Sequence, residues 1–364
     1  MNGKLYLIDG HALIFKMYYA FLRRPMVNSK GMDTSILFGF TKYLLELVER
    51  EKPTHLAVAF DPPGLRLFDL LNSIFADSEL SKYYALKGGT ALNMFYFSIP
   101  RLSVDIDLNY QGENRDEMLE NKSRHEKIFQ KIFQEKGYEI RRMPTEHAGG
   151  KWRLAFQNMI GQNQNLEVDL AYMLRIPLMP VELRSSQDFC GYKAENIKLL
   201  DIHELAAGKF CALLSRCKPR DLFDAHMLLN HVQWNSVKLR ECFTIYAGFN
   251  KIDFSKINSL GELKFDLAQF KAQLIATLPA GTVQIAEKEY LEKLIQECRQ
   301  HLQIILPFSE SELKFLQTIN HQGIIQPELV TTDPKMQENI LHHPMLAWKA
   351  LKVKEYLGKR NIPR

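Results

Sequence analysis

The residues with the greatest chemical potential lie between Lys87 and Leu108. The run Gly88-Gly89-Thr90 enters a predicted helix over residues 91–97, and this arrangement leaves backbone N–H groups free to approach a phosphate. Asp105 and Asp107 then stand two residues apart in an apolar alternation that predicts a strand, so both carboxylates project from one face. Because Mg²⁺ is held by one or two carboxylates plus substrate phosphate oxygens, the two halves together predict metal-dependent nucleotidyl transfer.

This stretch resembles the first motif of the nucleotidyltransferase superfamily, in the version carried by the AbiEii/AbiGii toxin family. The matching runs are Gly88-Gly89-Thr90-Ala91-Leu92 and Arg101-Leu102-Ser103-Val104-Asp105-Ile106-Asp107-Leu108. The resemblance extends over about residues 65–357. It implies an α+β fold, with a nucleotidyltransferase-like mixed sheet, flanking helices and a C-terminal helical region.

The resemblance also implies roles for residues beyond this motif. Asp169 takes the place of the third carboxylate of the metal site, while Glu167, on the same strand face, remains an alternative. Lys209 would meet the triphosphate as a point charge. The implied catalytic residues are Asp105, Asp107, Asp169, Lys209, Asp221 and Asp224, with Asp105, Asp107 and Asp169 as metal ligands, and the implied nucleotide-binding residues are Gly88, Gly89, Thr90, Ser103, Lys209 and Arg220.

Asp221 and Asp224 lie three residues apart, so a helix would present them on one face, where they could position Lys209, Arg220 or the nucleotide. A simple ion pair at the helix end is the alternative for Arg220 and Asp221. We assign no metal to the histidines near this region, because their spacing is not that of a ligand set.

The implied reaction transfers a nucleoside monophosphate from an NTP, possibly GTP, with Mg²⁺ or Mn²⁺ as the cofactor. Members of the resembled family are toxins of abortive-infection or toxin-antitoxin systems, and some modify tRNA 3′ ends. The expected partners are therefore an NTP, a tRNA or other RNA acceptor, and a cognate antitoxin or regulator. A catalytically silent NTP-binding protein is the non-enzymatic alternative.

Residues 1–64 predict a βαβ fragment, with strands over 5–8 and 55–60 around a helix over 35–51. Their sequence resembles the opening of the 5′-nuclease domain of bacterial DNA polymerase I. Both strands end in an aspartate, and these two residues, Asp9 and Asp61, could share a metal. The further acidic residues of that family do not follow Gly64. We therefore expect a truncated appendage, with DNA binding or residual 5′-nuclease activity as the alternative.

Composition limits the number of domains and the kinds of partner and compartment that we expect for this chain. The chain has 364 residues, 46% of them hydrophobic, which is enough for two or three domains with real cores. A net charge of +5 suits a phosphate-bearing partner without requiring one. The five cysteines are dispersed and indicate neither a disulfide framework nor a zinc site. We find no secretory leader and no apolar run of about 18 residues, and we expect a cytoplasmic protein with no membrane partner.

The elements that must position the site follow from periodicity. We predict three domains: a fragment over residues 1–64, the nucleotidyltransferase core over 65–232, and a helical region over 233–364. In the core we expect an amphipathic lead helix over 65–81, a charged stretch over 111–122, a helix over 124–136 and three later strands. Asp201 should cap a helix that ends near Arg216, and a second helix should start at Pro219.

Overall fold

The computed structural model describes residues 4–21, 24–29, 31–59, 64–146, 148–157, 163–188, 191–257, 264–279 and 282–360. Two compact units make up the chain. One comprises residues 1–66 with 155–165, and the other comprises residues 67–154 with 166–364. The boundary that we predict between the core and the C-terminal helical region, near residue 232, stays a prediction.

The first unit contains the βαβ arrangement that the sequence predicts. Strands β1 (Leu5–Asp9) and β2 (His55–Ala59) pair in parallel, with Leu5 opposite His55. Helices α1 (Gly10–Phe21) and α2 (Ser35–Glu51) connect them. Helix α1 was not predicted, because its sequence is apolar on most sides and lacks a clear helical period. Asp61 and the side chain of Asp9 fall outside the described residues, so their shared metal stays a prediction.

The second unit is built on a seven-stranded mixed sheet in the order β5-β6-β7-β4-β3-β9-β8. Strand β4 lies at its centre, antiparallel to β3 and parallel to β7, and β3 pairs in parallel with β9. The strands are β3 (Tyr84–Lys87), β4 (Ile106–Tyr110), β5 (Glu139–Arg142), β6 (Gly149–Gln157), β7 (Asn163–Ala171), β8 (Glu182–Arg184) and β9 (Ile197–Leu199).

Helices flank this sheet and form the C-terminal region. Those of the core are α3 (Gly64–Ala76), α4 (Ser78–Tyr83), α5 (Gly88–Ala91), α6 (Arg115–Glu135), α7 (Ile202–Arg216) and α8 (Pro219–His231). Those that follow are α9 (Ser236–Gly248), α10 (Leu267–Gln273), α11 (Glu287–His301), α12 (Glu310–Gln322), α13 (Pro334–His342) and α14 (Pro344–Arg360). The predicted α+β class, with a mixed sheet, flanking helices and a helical C-terminal region, is confirmed.

Two elements differ from the sequence-based expectation for local reasons. Strand β3 was not predicted, because Tyr84, Ala85 and Leu86 are all buried and the strand therefore lacks the alternation of a half-exposed one. Helix α6 begins at Arg115, inside the stretch expected to be merely charged. The Asn114 side chain accepts hydrogen bonds from the first-turn N–H groups, and the acidic residues of that turn suit the positive end of the helix.

None of the helices in the described part of the chain is both long enough and apolar enough to cross a membrane.

Truncation of one buried leucine tests how much the central strands contribute to the stability of the core. Leu86 on β3 is fully buried, so Leu86→Ala should lower the free energy of unfolding by about 3 kcal/mol through lost apolar burial and a residual cavity. Leu183, on edge strand β8 of the same sheet, is 69% exposed, and Leu183→Ala should cost less than about 0.5 kcal/mol. Urea unfolding of both variants compares the two, and equal losses would contradict this account.

Candidate active site

A glycine turn abuts the first carboxylate strand at the end of β3. Antiparallel pairing sets Lys87 opposite Asp107, and the chain then turns at Gly88 with φ of +77°. A Cβ at Gly88 would lie 2.1 Å from Asp107 Oδ2. Only glycine satisfies both the left-handed backbone and this close approach. The Gly-Gly-Thr run and the Asp-x-Asp run are therefore immediate neighbours.

The second carboxylate strand completes the acidic edge. Parallel pairing of β4 with β7 sets Asp107 directly opposite Asp169, and Asp105 precedes Asp107 by two residues. Burial raises the pKa of Asp105, and the nearby Asp107 raises it further. Burial and Asp107 raise the pKa of Asp169 in the same way. The three carboxylates that the sequence predicts to bind metal thus lie near one another, with Lys151 as a cation close to two of them.

Oxygen donors in such a region suit a hard cation such as Mg²⁺. In the described part of the chain, no group of three or more His, Cys, Asp or Glu side chains is arranged so that it could hold a metal ion. The carboxylates therefore do not form a closed cage by themselves. Mg²⁺ commonly takes only one or two protein carboxylates and completes its shell with substrate phosphates and water, and the donor set fits that mode of binding.

Glu167, the alternative to Asp169, is occupied by cations of the neighbouring strand. Its carboxylate accepts hydrogen bonds from Lys151 at 2.9 Å and from Arg153 at 2.9 Å. These hydrogen bonds, that of Lys151 first, lower the pKa of Glu167. Lys151 Nζ lies 4.0 Å from Asp169 Oδ2. Glu167 is therefore charge-balanced, whereas Asp169 lies where negative charge accumulates.

Lys209 lies among buried acids on the other side of the glycine turn. Its Nζ is 2.7 Å from Asp224 Oδ2 and 3.5 Å from Asp221 Oδ1. Asp221 in turn accepts hydrogen bonds from Arg216 Nε at 2.6 Å and Nη2 at 2.9 Å. Both acids are almost fully buried on α8. Helices α7 and α8 are thereby joined by a chain of alternating charges that fixes the Lys209 ammonium.

Arg101 is a member of this cluster to which sequence reasoning gave no role. Its guanidinium donates to both oxygens of Asp224, from Nε at 2.7 Å and from Nη2 at 2.6 Å, and the residue is only 2% exposed. Asn93 Nδ2 donates to the Gly89 carbonyl oxygen at 2.8 Å and lies 3.3 Å from Asp224 Oδ1. The glycine turn is thus tied to α8. The motif contains Arg101, but an arginine in a loop is ordinarily exposed, so its burial was not evident.

Asp224 is the common acceptor of these cations. Burial alone would raise the pKa of its carboxyl, but the charges of Lys209 and Arg101 and their hydrogen bonds outweigh it and lower the pKa to about 2. Asp224 is therefore ionised throughout the physiological range and remains bound to both partners.

The remaining predicted residues divide between structural and exposed positions. Thr90 is fully buried, and its hydroxyl donates to the Asp105 carbonyl oxygen at 2.5 Å and lies 3.1 Å from Ser103 Oγ. The side chains of Thr90 and Ser103 therefore brace the segment that leads into β4. Arg220 is exposed on α8, and its positive charge acts to lower the pKa of Asp105.

A cavity of about 430 Å³ brings part of this cluster together. Gly88, Gly89, Asp107 and Lys209 all line it. Other lining residues are Lys87, Leu174, Leu200, Glu204, Leu205, Gly208, Cys211, Ala212, Ser215, Arg216, Tyr246, Phe249 and Asn250. The volume lies in the usual range for a site that binds a small molecule. One cavity therefore contains a side-chain-free turn, a carboxylate and an ammonium.

Glu204 is a buried acid in the wall of this cavity. Tyr246 donates to its Oε1 at 3.0 Å, and the N–H groups of Leu178 and Met179 lie 3.1 and 3.5 Å from its Oε2. Burial raises the pKa of Glu204 to about 7, against the opposing effect of these hydrogen bonds. The sequence placed Glu204 only on a helix after Asp201, and nothing in the spacing marked it.

Comparison with known proteins identifies two segments. A family described as "Nucleotidyl transferase AbiEii toxin, Type IV TA system" matches residues 69–300. A family described as "5'-3' exonuclease, N-terminal resolvase-like domain" matches residues 4–68. Both resemblances that the sequence indicated are confirmed, and the break between the two lies close to Gly64.

Curated relatives match the N-terminal segment. DNA polymerase I of Synechocystis is 43% identical over 60 residues, which is 16% of this chain and 6% of that protein. DNA polymerase I of Bacillus subtilis is 42% identical over 59 residues, and the 5'-3' exonuclease of Aquifex aeolicus is 36% identical over 60 residues, or 20% of its length. The chain therefore spans only a small part of these relatives.

One solved structure resembles most of the chain. It is MenT4, a nucleotidyltransferase toxin of Mycobacterium tuberculosis, at 14% identity and a TM-score of 0.48, over 77% of this chain and 90% of that one.

The buried pairing of Asp224 makes a strong prediction for stability. Asp224→Asn should lower the free energy of unfolding by about 3–5 kcal/mol, because Arg101 and Lys209 would lose their shared anion while still buried. Glu292→Gln, which removes an exposed acid 3.9 Å from Lys288, should cost less than about 0.5 kcal/mol. Chemical denaturation at pH 7 measures the unfolding free energy of both variants. Similar small losses in the two would contradict a large contribution of the buried Asp224 cluster to stability.

The pKa of Glu204 predicts a specific pH dependence. Because its native pKa of about 7 exceeds the ordinary 4.5, the native state binds the proton more tightly. The resulting stability is fully present below pH 4.5 and is lost as pH rises to 7, by about 3 kcal/mol. In Glu204→Gln this loss should be absent. We therefore expect the unfolding free energy of the parent protein minus that of Glu204→Gln, measured from pH 4.5 to 8, to fall as pH rises.

The matched control is Glu135→Gln, which changes an exposed acid of α6. The difference between this variant and the parent protein should stay flat over the same pH range. A flat difference for Glu204→Gln as well would show that Glu204 titrates normally.

Proposed function

This chain belongs to the AbiEii family of nucleotidyl transferase toxins, and from that premise we propose that its cavity binds an NTP and transfers the nucleoside monophosphate to an acceptor. The chain is a nucleotidyltransferase by family. The single observation that carries the assignment to this site is that Gly88, Gly89, Asp107 and Lys209 line one cavity. These are the group types that a triphosphate and its cation require.

The carboxylates are proposed to hold the cation. Asp107 and Asp169 lie opposite each other on neighbouring strands, and Asp105 shares their charge environment. One or two of these three at a time would bind Mg²⁺ or Mn²⁺, together with phosphate oxygens. A bound divalent ion supplies charge neutralisation at the reacting phosphate and lowers the pKa of an acceptor hydroxyl. The raised pKa values of Asp105 and Asp169 support this proposal, because burial and the charge of Asp107 cause them and a bound cation would offset both effects.

The cations are proposed to hold the phosphates. Lys209 has three N–H donors and is anchored by Asp224 at 2.7 Å, which leaves donors for a ligand. Because Asp221 and Asp224 already fix the ammonium group and Arg101 holds Asp224, little reorganisation is needed when a triphosphate arrives. Arg216 lines the same stretch of the cavity and would carry further positive charge toward the leaving pyrophosphate.

The glycine turn is proposed to admit the phosphates closely. Gly88 and Gly89 place no side chain between the backbone and the cavity, and neither could carry one without collision. A Cβ on Gly89 would lie 2.8 Å from Arg101 Nη2. A bare backbone beside Asp107 lets a phosphate contact the turn and the cation at once.

The family description supports a proposal for the biological partners, and the acceptor is proposed beside it. Its Type IV toxin-antitoxin description implies a cognate antitoxin. We propose a tRNA or another RNA as the acceptor, and GTP as one candidate among the NTPs. The N-terminal segment spans only 6% of the polymerase relatives, and we extend no nuclease activity to it.

The first test is labelled-nucleotide transfer. Incubation with each α-labelled NTP, Mg²⁺ and total RNA should label an RNA, and Asp107→Asn should reduce the rate at least 100-fold because the acid nearest the turn is neutralised. Asp116→Asn removes an acid that is 85% exposed on α6 and should leave the rate unchanged. Incorporation of the label into protein and not into RNA would contradict the RNA acceptor. Mg²⁺-dependent NTP binding without any transfer would favour the alternative of a catalytically silent NTP-binding protein.

A second comparison separates the two candidate acids of β7. Asp169→Asn should reduce transfer at least 100-fold, because it removes a proposed metal ligand. Glu167→Gln should retain most of the rate, since Glu167 is held by Lys151 and Arg153 away from that role. The measurement is the initial transfer rate at saturating Mg²⁺. The reverse order of effects would move the ligand role to Glu167.

A further inference from the structure

Basic and aromatic residues line different parts of the cavity. Its lining residues on α7 run from Glu204 to Arg216, which is twelve residue steps and therefore about 18 Å of helix axis. The basic lining residues are Lys209 at the midpoint of α7, Arg216 at its C-terminal end and Lys87 at the end of β3. The end of the cavity lined from α9 and the turn after it, by Tyr246, Phe249 and Asn250, has no basic residue among these three and so offers a triphosphate no counter-charge of its own.

The end without basic residues is aromatic. Tyr246, on α9, and Phe249, just after it, have ring centroids 4.8 Å apart at an interplanar angle of 52°. Phe249 is also stacked on His343, with centroids 5.2 Å apart and rings only 4° from parallel. His343 is fully buried, whereas Phe249 is partly exposed and lines the cavity. His343 thus holds a flat apolar surface in place at the cavity wall.

Polar atoms accompany this surface. The Tyr246 hydroxyl donates its proton to Glu204, so its oxygen keeps an acceptor lone pair. The Asn250 Oδ1 accepts from the Ile252 N–H at 3.3 Å, and the Asn250 carbonyl oxygen accepts from Lys349 Nζ at 2.8 Å. These bonds hold Asn250 at the cavity wall and leave its amide nitrogen as a donor. The aromatic end therefore offers one acceptor and one donor beside a ring.

We infer that this aromatic end is a nucleobase subsite, in which the base stacks on Phe249 and its edge meets Tyr246 and Asn250. The inference rests on the proposed function, since it takes the part of the cavity lined by the basic residues as the triphosphate site. Flat apolar surfaces with a few convergent polar groups bind bases well, because every base has a π-face and an edge with donors and acceptors. Glu204 acts here as a positioning residue that fixes the Tyr246 hydroxyl.

The test separates base from phosphate by using inorganic tripolyphosphate as a probe. Titration calorimetry with Mg²⁺ measures the Kd of each of the four NTPs and of tripolyphosphate for the full chain. Phe249→Leu should raise the Kd of every NTP by about 5- to 100-fold, since stacking of a base on one aromatic ring contributes that much to affinity. It should change the Kd of tripolyphosphate less than twofold. Phe249→Trp, which keeps a stacking ring, should retain NTP affinity.

Two further variants complete the design. Asn250→Ala should change the order of preference among the four NTPs more than it changes tripolyphosphate binding, because a donor to the base edge is lost. Trp348→Ala removes an exposed aromatic residue outside the cavity lining and should leave all Kd values unchanged. Circular dichroism of each variant checks that it folds.

The outcomes distinguish the two proposals. If the parent protein binds neither NTPs nor tripolyphosphate, the proposed function fails and the subsite fails with it. If the parent protein binds both, and Phe249→Leu weakens both equally or neither, the nucleobase subsite is overturned while the triphosphate site stands. A folded Phe249→Trp variant with the same loss as Phe249→Leu would also overturn the stacking role.

Discussion

The candidate site depends on one buried carboxylate. Asp224 receives Arg101 from the loop before β4, Lys209 from α7 and Asn93 from the helical turn after the glycine pair. A single anion on α8 therefore joins the preceding helix α7 to the segment that contains Asn93 and Arg101, which lie 131 and 123 residues earlier in the chain. Because a buried charge without partners is very costly, these segments are constrained to converge. The positions of the glycine turn and of Lys209 follow from that convergence.

Charge around the cavity falls into two regimes. On the α8 side, the buried Asp221 and Asp224 each have cations close by, and the charges of Lys209 and Arg101 outweigh burial and lower the pKa of Asp224. Beside β4 and on β7, burial and the nearby Asp107 raise the pKa values of Asp105 and Asp169. The first regime builds a rigid frame, and the second leaves negative charge unsatisfied beside it. This contrast separates residues that hold the structure from residues suited to bind a cation.

Much of this arrangement was accessible from sequence because it depends on spacing. The Asp-x-Asp alternation predicted a strand, and the parallel β1–β2 pair was expected from pattern alone. Strand β3 and the burial of Arg101 were not accessible, because both depend on what packs on the second face of an element. Glu204 escaped notice for the same reason. A glutamate in a helix has no local feature that reveals whether tertiary structure will bury it.

The tight approach at the glycine turn was equally invisible to pattern analysis. Glycine pairs occur in many kinds of turn, and only the pairing of β3 with β4 shows that Gly88 must leave room for Asp107. Local periodicity thus predicted which residues belong together. It could not predict how little space separates them.

The buried Glu204 has a consequence for the protein in solution. A pKa of about 7 means that the Glu204 carboxyl in the cavity wall changes its protonation state close to neutral pH. The protein then exists in two protonation states in this pH range. Any molecule that enters the cavity and favours one state must take up or release a fraction of a proton, so its apparent affinity will vary with the acidity of the surrounding medium.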